Sequence, residues 1–305
     1  MKKTGFIISS LAAALGLGTA FTLQQGYLEA FGPDGSRFVD PFRSFGHEAA
    51  YYVRLRESTD SMAVRPRRRY ELKNSRGEKL VGYYYPCGDK PTGKIAFIIH
   101  GYRANHAEAA GVVCRTWLER GFDVFGCDHI ASGESEGRYI SFDYYESIDC
   151  LRWIDFLLME FGKDTSIVLH GFSMGAATVM RMSDQLPENV KFIVEDSGFT
   201  TAEDLLRANM GGVYPALKFI NRIVAGFDLE KTDVRPHLER SRLPILFVHG
   251  MEDPLVPFLM GKELFEAYAG EKDCLFTPEL RHVETAYFAL PRYEEKIDEF
   301  IEKYI

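Results

Sequence analysis

The chain is short of several things. Its 305 residues hold only 5 cysteines, Cys87, Cys114, Cys127, Cys150 and Cys274. The number is odd and no two form a C-x-x-C pair, so there is no metal or redox motif of that kind. They read as small buried apolar residues, and no disulfide can be predicted from their spacing. Basic charge is also scarce. Lys and Arg number 36 against 44 Asp and Glu, and a net charge of -8 is the wrong sign for a nucleic-acid binder. The cluster Arg65-Pro66-Arg67-Arg68-Arg69 is a local exception, read as a solvated or membrane-facing patch. No internal repeat and no low-complexity tract occurs. No histidine–carboxylate spacing marks a metal site, and no cofactor motif is seen.

What remains is the composition of an ordinary globular protein, 46% apolar and 26% charged. The length suits one large α/β domain with additions, or two small domains. One uncharged run, 5–23, is long enough to cross a bilayer. Lys2 and Lys3 precede it, which favours a cytoplasmic N-terminus and places the rest of the chain outside. A cleaved signal peptide ending near Gly18-Thr19-Ala20 is the competing reading; the domain would then be secreted. The division is therefore 1–25 anchor or signal, 26–66 connector and 67–305 main domain. Phe31, Phe38, Phe42, Phe45, Tyr51 and Tyr52 make the connector too aromatic for a free linker. They are expected to pack on the domain or lie at a membrane interface.

In the main domain, strands are expected at 69–72 and 80–85, joined as an antiparallel hairpin by Asn74-Ser75-Arg76-Gly77. Further strands follow at 94–100, 122–127, 165–170, 190–194, 243–249 and 273–277. Helices are expected at 108–120, 144–161, from 176, at 261–269 and at 293–304. The run Ile95-Ala96-Phe97-Ile98-Ile99 is apolar throughout, as in a strand covered on both faces. Alternating strands and helices after a hairpin give an α/β fold with a doubly wound, mostly parallel sheet. Residues 200–242 are too long for a simple crossover, so a small helical cap is expected there; an ordinary crossover helix with a long loop is the alternative.

Gly171-Phe172-Ser173-Met174-Gly175 lies between the 165–170 strand and the next helix. That is the strand–turn–helix setting of a nucleophile elbow. Glycines at 171 and 175 let the sharp turn pass close to neighbouring backbone, and the helix N-terminus directs free N–H groups beside Ser173. A glycine-rich turn with a capping serine is the plain alternative. A serine hydroxyl needs a base, and the base needs an acid to fix its tautomer. Asp253 follows the 243–249 strand and His282 follows the 273–277 strand, giving the order Ser, Asp, His just past strand ends. Asp196 and Glu252 are rival acids. His100, His170 and His249 are expected to hydrogen-bond locally. His106 could contact substrate, and His47, His129 and His237 look structural or exposed. Oxyanion donors are expected from the backbone N–H groups of Met174 and Tyr102, with Gly101 letting the second loop approach.

Together His100-Gly101-Tyr102, Asp128 to Ser135, Gly171 to Gly175, Glu195 to Phe199, Gly250 to Pro257 and His282 resemble the α/β-hydrolase superfamily. Within it the chain is similar to the membrane-anchored bacterial serine-aminopeptidase and esterase-like group. The resemblance implies the α/β-hydrolase fold, a Ser173–Asp253–His282 triad, a Tyr102/Met174 oxyanion hole, and cleavage of a small-molecule carboxylic ester through an acyl-enzyme. Peptidase, amidase or acyltransferase activity would use the same groups. A catalytically idle, surface-anchored binding module is the alternative from another class. Two departures stand out. The usual Asp-x-Arg-Gly-x-Gly run reads Asp128-His129-Ile130-Ala131-Ser132-Gly133, and the usual glycine before the histidine is Arg281.

Overall fold

The computed structural model describes residues 27, 28, 31, 32, 49–210, 212 and 214–305. The apolar run 5–23, His47 and the aromatics Phe38, Phe42 and Phe45 lie outside them. Among the described residues, no helix is long and apolar enough to cross a membrane.

Among the described residues, eight strands form one sheet: β1 Arg68–Lys73, β2 Lys79–Tyr85, β3 Lys94–Ile99, β4 Asp123–Asp128, β5 Ser166–Phe172, β6 Val190–Asp196, β7 Ile245–Gly250 and β8 Lys272–Thr277. Their order is β1-β2-β4-β3-β5-β6-β7-β8. The β1–β2 hairpin is antiparallel, and β2 also runs antiparallel to β4; every later pairing is parallel. The expected hairpin and parallel sheet are thus both present.

The continuous apolar strands follow from a core on each face. Ile95, Phe97, Ile99, Ile167, Leu169, Ile193, Ile245 and Phe247 point into one cluster. Their alternates Ala96, Ile98, Val168, Phe192, Val194, Leu246 and Val248 point into the other. The first is closed by helices Tyr144–Phe161 and Met174–Arg181, through Trp153, Ile154, Leu157, Ala177 and Met180. The second is closed by helices His106–Glu119 and Leu290–Tyr304, through Val113, Trp117, Tyr293, Ile297 and Phe300. Asn105 caps the first of these, its Oδ1 accepting from the amides of Ala107 and Glu108 at 2.9 and 3.1 Å.

Between β6 and β7 the chain makes helices Ala202–Met210, Tyr214–Val224 and Arg235–Arg240 with a short 3-10 turn Leu229–Thr232. Helix Phe258–Ala267 starts three residues earlier than expected, and a short helix Thr285–Phe288 precedes the last one. The largest addition is a helix at Ala49–Ala63, inside the stretch read as a connector. Upstream of it, Tyr27 and Phe31 are buried in the main core, where Phe31 meets Phe142 edge-on at 5.6 Å.

Candidate active site

Ser173 stands between β5 and helix Met174–Arg181, at the helix N-cap, with φ 54 and ψ -116. A non-glycine residue takes such a conformation only when its surroundings enforce it. The flanking glycines show what enforces it. A Cβ on Gly171 would stand 2.3 Å from the Gly175 carbonyl oxygen, and one on Gly175 would stand 2.1 Å from that of Ile99. The Ser173 N–H donates to the Asp196 carbonyl at 2.8 Å, which ties the turn to the end of β6.

His282 and Asp253 meet across two loops at the same sheet edge. His282 Nδ1 lies 2.6 Å from Asp253 Oδ2. The other carboxylate oxygen accepts from the amides of Leu255 and Val256 at 2.8 and 2.9 Å. His249 Nε2 donates to the Val256 carbonyl at 3.0 Å and lies 3.4 Å from Asp253 Oδ2. Burial alone would push Asp253 up. The His282 charge, with hydrogen bonds from His249 and His282, outweighs it and holds the carboxyl well below the usual range. Burial likewise favours neutral His282, yet the charge and hydrogen bond of Asp253 raise its pKa above the ordinary value. With Arg281 where the usual glycine stands, the loop packs closely on the end of β7. Gly250 has no room for a Cβ against the carbonyls of Leu280 and Arg281, at 2.3 and 2.4 Å.

Ser173, His282, Tyr102 and Met174 all line one cavity of about 760 Å³. Gly101 lies close enough that a Cβ there would stand 3.2 Å from Ser173 Cβ, so the loop after β3 passes directly beside the serine. His100 positions that loop. Its Nδ1 donates to the Gly101 carbonyl at 2.7 Å and its Nε2 accepts the His129 N–H at 3.0 Å. Burial lowers its pKa to about 4, so the ring is neutral in this role.

The rival acid Asp196 is placed elsewhere. Its Oδ1 accepts from the Ser197 hydroxyl at 2.8 Å and its Oδ2 from the Tyr293 hydroxyl at 3.1 Å. The Ser197 Oγ accepts the Val283 N–H at 3.2 Å, one residue past His282. Behind Tyr293, His170 Nε2 donates at 2.7 Å, and the Trp117 indole donates to His170 Nδ1 at 3.1 Å. Burial raises the Asp196 pKa to about 6, partly offset by the Ser197 and Tyr293 hydrogen bonds. Ser197 and Tyr293 are the residues that sequence reasoning missed. Ser197 sits inside the Glu195–Phe199 motif and could have been flagged; Tyr293 carries no local signal.

Other candidates are corrected. His106 does not line the cavity. Its ring stacks on Tyr83 at 3.8 Å and its Nδ1 bonds Asp128 Oδ1 at 2.8 Å. His237 pairs with Asp184 at 2.8 Å. His129 is buried, the structural one of its two expected readings, and neither ring nitrogen has a hydrogen-bond partner. With Cys127 and Cys150 it makes the one His/Cys group among the described residues that could hold a metal ion, its donor atoms within 4.8 Å of one another. Burial, then Cys127, pushes the Cys150 thiol well above the usual range, so it is protonated as it stands. None of the three touches the cavity. All five cysteines are free; Cys87 is exposed, contrary to the buried reading.

Comparison with known proteins agrees with this architecture. A family model described as the alpha/beta hydrolase fold matches residues 97–229. The uncharacterised protein YqkD of Bacillus subtilis is 22% identical over 242 residues, covering 76% of this chain and 78% of its own. Among solved structures, the Pyrococcus furiosus esterase Pf2001 is similar with a TM-score of 0.66 and 19% identity, over 80% of this chain and 95% of that one. The acetyl xylan esterase from Paenibacillus sp. R4 gives 0.61 and 17%, over 85% and 96%. Sheet order, elbow turn and matched model agree that this chain has the α/β-hydrolase fold.

Proposed function

We propose that the protein is a serine hydrolase that cleaves carboxylic esters. The observation that carries the reading is the shared cavity. A strained serine and a histidine paired to a buried carboxylate open onto the same space. Esterases among the structural relatives support the substrate class.

In this reading Ser173 Oγ attacks the ester carbonyl carbon while His282 takes its proton. Asp253 holds the His282 Nδ1–H and stabilises the imidazolium that forms. The Tyr102 and Met174 amides receive the negative charge developing on the carbonyl oxygen. The bond to the alcohol oxygen then breaks, and His282 returns the proton to that oxygen. Water attacks the acyl-serine, again losing a proton to His282, and the acid leaves as Ser173 recovers its hydrogen. The apolar run 5–23 supports a further part of the reading, that the domain is held at the outer face of a membrane; release by alkaline carbonate would sink that part.

A fluorophosphonate probe tests the chemistry. Labelling of the wild type and loss of label in Ser173→Ala is the expected result. Equal labelling of both would overturn the assignment.

A further inference from the structure

The helix Ala49–Ala63 lies ahead of the sheet in sequence, yet it is built into the cavity wall. One stripe fixes it to the domain. Tyr51 meets Tyr287 edge-on at 5.2 Å. Arg54 donates to the Tyr287 carbonyl, and its guanidinium lies 4.8 Å from the Phe288 ring centre. Ser58 Oγ is 3.4 Å from the Tyr287 hydroxyl, and its carbonyl would stand 2.7 Å from a Cβ on Gly111. Met62 completes the stripe and is buried. The spacing 51, 54, 58, 62 is one face of an α-helix.

The neighbouring face points at the reacting groups. Tyr52, Leu55, Arg56 and Thr59 line the same cavity as Ser173 and His282. Phe142, Phe172, Met174, Leu205 and Val256 line the same space, so much of its lining is apolar. Tyr52, Arg56 and Asp60 on this face are exposed, so the wall also meets solvent. A space of about 760 Å³ far exceeds what an acetyl group needs.

We infer that this helix is the selecting wall for an apolar chain on the ester, so that the substrate carries a hydrocarbon arm and residues 55 and 59 set the length accepted. The inference rests on the serine-hydrolase reading. Each methylene buried against this wall in the transition state raises kcat/KM by about fourfold at full burial.

The test uses two substrate series on the full chain. One is p-nitrophenyl esters of lengthening straight-chain acids; the other is acetate esters of lengthening straight-chain alcohols. In one series, wild-type kcat/KM should rise by about tenfold or more between two and six carbons. The responding series identifies whether the arm is acyl or alcohol. Thr59→Trp should cut that six-to-two-carbon ratio by about fivefold or more, since an indole on this wall takes up space the chain would occupy. Leu55→Ala should shift the optimum to longer chains. Glu57→Ala, exposed and off the wall, should keep the wild-type ratio. Flat profiles in both series, or wall variants that fold and label yet keep the wild-type ratio, would overturn the inference while leaving the hydrolase reading intact. A wild type that takes no fluorophosphonate would overturn both.

Discussion

His282 presents its Nδ1 to Asp253 Oδ2 at 2.6 Å, and the second oxygen of that carboxylate is already held by two backbone amides. The acid therefore cannot rotate away without abandoning the Leu255 and Val256 N–H groups. This leaves Nε2 as the ring nitrogen for the proton transfer in the proposed mechanism.

Asp253→Asn should lower ester kcat by about 10³- to 10⁴-fold, because an amide can stabilise the wrong tautomer and no imidazolium. Asp253 raises the His282 pKa, so its removal should also move the acidic limb of the pH–rate profile to lower pH. Steady-state rates between pH 4 and 9 would measure both. An unmoved limb would show that a different group titrates.

The same pair makes a signed prediction about stability. Asp253 is depressed below 3.8, so its contribution is present above that value and is lost as the pH falls through its folded pKa. His282 is raised above 6.5, so its contribution is complete below that value and is lost as the pH rises through its folded pKa. The stability gap between wild type and Asp253→Asn should be widest between about pH 4 and 6.5 and should narrow on both sides. Urea unfolding across that range is the measurement.

Tyr293→Phe should destabilise the fold by roughly 1–3 kcal/mol, since it leaves His170 Nε2 and Asp196 Oδ2 unpaired in the core. Denaturant midpoints at neutral pH would give the value. A loss within error would mean that water or a shifted side chain takes the hydroxyl's place.

Ala131 holds φ 57, at the position where the superfamily's usual run has glycine. Ala131→Gly should unfold within about 1 kcal/mol of the wild type, the relief of left-handed strain offsetting the lost methyl burial. Ala131→Val should cost about 2 kcal/mol or more, because a β-branched residue is poorly tolerated there. Paired urea curves decide it.

The elbow was legible because three independent constraints coincide in a few residues: an apolar strand, two glycines with no space for a Cβ, and a helix start. Asp253 and His282 were legible for a related reason, since each follows a strand whose pattern fixes its end. The helix at Ala49–Ala63 was not. Its first turn carries no acidic residue, and its role comes from contacts with Tyr287 and Gly111, far along the chain. The Trp117–His170–Tyr293–Asp196 chain was hidden in the same way, because no local periodicity brings those four side chains together. His106 misled because its position beside the β3 loop suggested the cavity, whereas Asp128 captures it on the far side.

The span Asp196–Ser197 holds both halves of the site at once. The carbonyl of Asp196 carries the Ser173 amide, and the hydroxyl of Ser197 carries the amide next to His282. In the proposed mechanism, nucleophile and base are thus tied to adjacent residues of one strand end. A change at this strand end, such as Ser197→Ala, therefore reaches the histidine loop through one hydrogen bond while leaving the backbone tie to the serine in place.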